Sequence, residues 1–228
     1  MPSHTVKPGF GYFGKVPQRG DFIQAGLATG FANGWSEWLQ AAMAVSREQL
    51  EESWLEYYMT GPIWHFAFSA NVCGEHAMIG SLMPSVDSVG RQFYFSLATP
   101  IEHSPINFML NRKWSMKAEE HILQVLDDEV DLSAWVEATG QACWHQDAIQ
   151  PDVSLQVLMN GDRHTIVAEP ASATQLLHHA YQQRFGRYCV WWTNGSEHVP
   201  ECCVISSGLP LVSQFSALLD GCWEEWGW

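Results

Sequence analysis

The chain has 228 residues and a 46% apolar composition, and folding hides about 70% of its extended surface, which excludes whole-chain disorder and collagen-like repeats. Eleven basic against 25 acidic side chains give a formal charge of −14, which repels phosphate backbones and anionic lipid and so argues against nucleic-acid and membrane-surface binding. Residues 115–228 hold 4 of the basic and 16 of the acidic groups, only 16% of all residues are charged, and 12 are Trp, a composition that fits either a Trp-rich core or an aromatic interface.

The first residues show no apolar core or cleavage pattern, so no secretory leader is expected, and no apolar run reaches membrane-spanning length. Residues 10–13 predict a short strand, and Pro17 and Gly20 break the regular structure after it. Trp35, Trp38, Leu39, Ala42 and Met43 recur at helical spacing and predict a helix over 33–47. A second helix over 47–60 carries Leu50, Trp54 and Tyr57/Tyr58 and ends at Gly61-Pro62. Strands are expected next over 63–69, 76–83 and 93–99, the last stopped by Pro100. Helices are expected over 115–130 and 131–136, strands over 154–159 and 165–168, and a helix over 172–185 stopped by Gly186. Strands over 188–193 and 202–206 and a closing helix over 211–219 complete the chain. Mixed helices and strands without a linker point to one α/β layered domain over 1–228.

Few motifs carry chemistry. Gly9-x-Gly11-x-x-Gly14 lacks the preceding strand and following helix of a dinucleotide fingerprint, so it reads as a tight turn packing Phe10, Tyr12 and Phe13. The close His and Cys groups are Cys143-x-His145, His178-His179 and Cys202-Cys203, and none has zinc spacing, so neither metal nor cofactor is expected. The six cysteines (Cys73, Cys143, Cys189, Cys202, Cys203, Cys222) form no disulfide framework and read as reduced thiols. No nucleophile elbow is present, although Ser85, Asp87, Ser88 and scattered His leave a triad open. The most pointed feature is the loop Pro84-Ser85-Val86-Asp87-Ser88-Val89-Gly90-Arg91-Gln92-Phe93. Asp87 can hold backbone N–H groups in an Asx turn, and Arg91 can pair with Asp87 or Asp21. Such a loop is either a rigid turn or a recognition loop.

Three segments together resemble the TagF family, accessory proteins of bacterial type VI secretion. They are Gly11-Tyr12-Phe13-Gly14-Lys15-Val16-Pro17-x-Arg19-Gly20-Asp21-Phe22, Gly61-Pro62-Ile63-Trp64-His65-Phe66, and Met83-Pro84-Ser85-Val86-Asp87-Ser88-Val89-Gly90-Arg91-Gln92-Phe93. The tail segments Val190–Ser196 and Gly208-Leu209-Pro210 are similar too, whereas Gly61, His65 and Tyr94 depart from the usual residues. The resemblance implies a three-layer α/β sandwich with a mixed or antiparallel sheet. It also implies a cytoplasmic, non-enzymatic protein that post-translationally restrains assembly or firing of the secretion apparatus. Its implied partners are type VI secretion proteins, in particular the forkhead-associated scaffold tied to the threonine-phosphorylation switch. The sequence stops at Trp228, so no fused phosphatase is expected, and the family supplies no catalytic residues. Lys15, Arg19, Asp21, Ser85, Asp87 and Arg91 are the candidate partner-binding residues. The alternatives are a structural subunit of the apparatus, or a phosphate- or nucleotide-handling enzyme with Lys15, Arg19 and Arg91 converging on a cleft.

Overall fold

The structure, a computed structural model, describes residues 9–144, 155–169 and 173–228. The N-terminal stretch, His145, and the expected starts at Ser154 and Ser172 lie outside these residues. Among the described residues the strands are β1 (Gly11–Gly14), β2 (Ile23–Ala25), β3 (Trp64–Phe68), β4 (Ala77–Met83), β5 (Phe95–Ile101), β6 (Gln156–Asn160), β7 (Arg163–Val167), β8 (Cys189–Thr193) and β9 (Cys202–Ser206). The helices are α1 (Thr29–Leu50), α2 (Trp54–Met59), α3 (Ile106–Met109), α4 (Arg112–Leu123), α5 (Leu132–Gln141), α6 (Ala173–Phe185) and α7 (Ala217–Asp220).

Seven strands form one antiparallel sheet in the order β2-β1-β5-β4-β3-β8-β9, and β6 and β7 pair separately as a hairpin. Alternation along each strand sends side chains to opposite faces. Trp64, Phe66 and Phe68 of β3, Met78 and Leu82 of β4 and Trp191 of β8 pack with α1, α2 and α7. On the other face Ala67, Ile79, Val190 and Trp192 meet α3 and α4, while Tyr12, Phe95 and Leu97 meet the end of α4 and α5. Both faces are covered, which makes three layers, an α/β sandwich around a wholly antiparallel sheet.

The tryptophans are interior residues. Trp35, Trp54, Trp64, Trp114, Trp135, Trp191 and Trp192 are buried, and the other five are half-buried, so the Trp-rich-core reading holds. Their indole N–H groups need acceptors when buried. Trp35 Nε1 donates to Ser96 Oγ (2.9 Å), Trp64 Nε1 to the Leu218 carbonyl (2.9 Å) and Trp192 Nε1 to Ser115 Oγ (2.8 Å). These bonds tie helices or the C-terminal segment to the sheet at fixed points. Around Trp35 lie the rings of Phe31, Trp38, Phe66, Phe68 and Trp191.

Several elements differ from expectation. β5 runs through Pro100, which pairs with Met78. Among the described residues β1 pairs β5 only as far as Ala98, so no pairing on that side reaches the proline, which has no N–H to give. α4 starts at Arg112 rather than 115, because the Asn111 side chain accepts from the Trp114 N–H and caps it despite the cations in the first turn. The closing helix resolves into a 3-10 turn over Val212–Gln214 and the short α7, and β2 gave no periodic signal.

Candidate partner-binding loop

The loop 84–93 joins β4 to β5, and the opening segment 15–22 leaves β1 beside it. β1 must pass very close to the start of β5. A Cβ at Gly14 would fall 2.2 Å from the Tyr94 carbonyl, and Gly14 has φ +145°, so glycine is required there. The next residue, Lys15, is thereby aimed under the loop rather than into solvent.

Asp87 organises both segments. Its Oδ1 accepts from the backbone N–H groups of Val89 (3.1 Å) and Arg91 (2.9 Å), the Asx geometry expected from the sequence. Its Oδ2 accepts from Lys15 Nζ (2.9 Å) and Arg91 Nε (2.7 Å). The Asp87 N–H in turn donates to the Arg91 carbonyl (3.1 Å), and Gly90 at φ +82° closes the turn by donating to the Asp87 carbonyl (2.9 Å). The Ser88 N–H donates to the Arg19 carbonyl (3.0 Å), and Arg91 Nη2 to the Gly20 carbonyl. Burial by itself raises the Asp87 carboxyl, but four hydrogen bonds, from Lys15, from the Arg91 backbone and side chain, and from Val89, outweigh it and hold the group well below the ordinary carboxylate range.

The base of the loop is fixed by Tyr58 of α2. Its hydroxyl donates to the Ser85 carbonyl (2.7 Å) and accepts from the Ser85 N–H (2.9 Å). The Ser85 hydroxyl is buried and makes no hydrogen bond. Aromatic rings line the side of the loop: Phe22 stands 4.8 Å from Phe93, and Lys15 Nζ lies 5.1 Å from the Phe22 ring centre.

The structure brings all six candidate residues to this one place, in two layers. Lys15, Ser85 and Asp87 are buried and make up the lock beneath the surface. Arg19, Asp21 and Arg91 are exposed. Asp21 does not pair with Arg91; its carboxylate accepts from the Phe22 N–H (2.8 Å). Lys15 and Arg91 are both committed to Asp87. Ser88, which the sequence offers only as a triad candidate, completes the outer surface with Val89 (70% exposed) and Phe22 (42% exposed), which it does not single out. An Asx turn whose carboxylate faces inward leaves the tip residues outside, and that geometry was the available signal for Ser88 and Val89.

A second polar chain crosses the sheet. His65 Nδ1 is 2.8 Å from Ser81 Oγ, and His65 Nε2 is 3.1 Å from Glu119 Oε1, which also accepts from Asn194 (2.7 Å). The order Ser–His–Glu is that of a hydrolytic triad, but Ser81 is buried in the middle of β4 and faces no described cavity. Burial lowers the His65 pKa against the raising effect of Glu119, so the ring is neutral at pH 7 and fastens α4 to the sheet. Among the described residues no group of three or more His, Cys, Asp or Glu is placed to hold a metal ion, and no helix is long and apolar enough to cross a membrane.

Residues 11–142 match the family described as TagF N-terminal domain, type VI secretion system-associated. The crystal structure of PA0076 from Pseudomonas aeruginosa PAO1 is similar over 93% of this chain and 94% of that one, with a TM-score of 0.75 and 28% sequence identity. No curated protein sequence matches the chain.

Proposed function

Because the chain belongs to the TagF N-terminal domain family of type VI secretion-associated proteins, we propose that it is a non-enzymatic cytoplasmic regulator that represses assembly or firing of the apparatus by binding one of its components. The observation that carries this reading is that the family match includes both segments of the Asp87 lock, from Lys15 to Arg91. The lock spends its charges internally and offers no free cation pair to a phosphate or nucleotide. It leaves a rigid tip of Arg19, Ser88, Val89 and Arg91 at the surface. A pre-ordered tip loses little entropy on association, which favours recognition. Repression is then a matter of mass action: a bound component is unavailable for assembly, in proportion to affinity and copy number. The forkhead-associated scaffold protein is the component we assign first.

The test is secretion and sheath assembly in the protein's own bacterium. Deletion is expected to raise firing and overproduction to suppress it. The Arg19→Glu, Val89→Glu double variant, which leaves the buried lock intact, should fold normally and lose both suppression and capture of the purified scaffold. Stoichiometric recovery of the protein with assembled apparatus would instead make it a structural subunit. Suppression that survives without any captured component would overturn sequestration.

A further inference from the structure

The sheet ends differently at its two sides. β2 is a three-residue strand, whereas β9 is five residues long and its sequence, Cys-Cys-Val-Ile-Ser, has no charge or proline to discourage pairing. Among the described residues β9 pairs only with β8, and no hydrogen bond reaches its outer backbone groups. Beside this edge lies a groove of about 490 Å³ between α4 and the β8–β9 corner, walled by Met109, Arg112, Met116, Trp192 and Cys203. Met116 is 66% exposed, and methionine walls adapt to varied side chains.

The charged residues that line the groove, Arg112 and Glu201, face each other, and the further cations beside it stand on the first turns of α4. The first seven residues of α4, Arg112 to Ala118, carry Arg112, Lys113 and Lys117 and no acid, at a helix end whose dipole adds positive potential, in a chain of net −14. Glu201 meets Arg112 at 2.7 Å across the rim, but the two side chains are 81% and 59% exposed, so the pair opens at little cost. Glu119 is committed to His65 and Asn194.

We propose that an extended, acidic segment of a partner protein, apolar at alternate positions, adds to β9 as an eighth strand and sets its side chains into the groove beside α4. The backbone of the edge supplies affinity and the groove supplies selection, as in strand addition generally. A second copy of this chain is the poorer occupant. Two-fold pairing of β9 with itself places both sets of α4 cations on the same side of the joined sheet and brings two chains of −14 together. The proposal rests on the proposed function, in which the chain acts by binding another protein.

The test is selection of a phage-displayed library of random linear peptides on the full chain, with amide hydrogen exchange then measured on the complexes with the enriched peptides. The expected peptides carry acidic residues and alternate apolar positions, and they protect the amides of Cys202–Ser206. Binding should weaken about tenfold in Arg112→Glu and in Cys203→Lys. Both residues are exposed, so the thermal midpoint of each variant should match the parent. The proposal is overturned if no peptide is enriched, if enriched peptides protect other amides, or if β9 is already protected in a dimer without peptide. The same variants in the secretion assay separate the two readings. Restraint that survives loss of peptide binding removes β9 from the regulatory role and leaves the function standing. A parent protein that fails to restrain secretion while peptides still protect β9 overturns the function alone.

Discussion

The loop 84–93 and the β6–β7 hairpin both join neighbouring strands through a turn containing a left-handed glycine, Gly90 in one and Gly161 in the other. Their polarity and their burial run in opposite senses. The loop carries an aspartate, an arginine and two serines, yet Asp87 is 2% exposed. The hairpin carries Val157, Leu158, Met159, Ile166 and Val167, yet all five are exposed, Met159 at 63%. A segment is buried when distant parts of the chain meet its groups, not because its own composition asks for it. Lys15, Tyr58 and Gly20 supply what the loop needs. Among the described residues β6 and β7 pair only with each other, and a lone two-stranded ribbon is marginal in water.

The strongest challenge to this contrast is removal of Asp87. Asp87→Ala leaves Lys15 buried without its partner and frees the Val89 and Arg91 amides. Its loss of stability in urea unfolding should exceed that of any single change in the hairpin or of Lys15 itself. Lys15→Ala should come next at about 3 kcal/mol, since Arg91 still meets the carboxylate. A near-neutral result for either would mean that the lock is ornamental.

Acid sharpens the comparison. The folded Asp87 pKa lies below its ordinary value of 3.8, so the stabilisation is complete above that value and is lost as pH falls from 3.8 through the folded value. Unfolding free energy of the parent should drop across that window, and Asp87→Asn should flatten the drop. At the small end, Leu158→Ser in the hairpin should change stability by no more than about 0.5 kcal/mol. A larger loss would show that the hairpin packs in solution. Hydrogen exchange should agree, with β6 amides exchanging far faster than those of β3 and β8.

Legibility from sequence tracked range. β3, β4, β8 and β9 were readable because their apolar runs are local, and the Asp87–Arg91 pair was readable because the two stand only four positions apart. The Lys15–Asp87 bond joins positions 72 apart, and nothing near Lys15 announces it. Tyr58 looked like one more aromatic on an amphipathic helix, and its two bonds to Ser85 appear only once α2 lies beside the base of the loop 84–93. Pro100 reads as a strand stop until β1 is seen to end before reaching it. Burial of the lock also means that substituting Asp87 and Arg91 together disrupts the loop itself, so a partner contact is better probed at Arg19, Ser88 or Val89.

The place of β8 has a consequence for how the chain is made. β3 receives one neighbour, β4, almost at once, but its other neighbour is β8, so that Phe68 waits for Cys189 and His65 for Trp192. A nascent chain on the ribosome therefore carries a central strand with one open edge, and with Trp64, Phe66 and Phe68 only partly covered, through most of its synthesis. Such long-range closure belongs to slow-folding, high-contact-order topologies, and an open apolar edge is what chaperones bind and what aggregates when they are scarce. Expression at lower temperature or with added trigger-type chaperones should raise the soluble yield of this protein, and slowing translation just after Thr193 should matter less than slowing it just before Cys189.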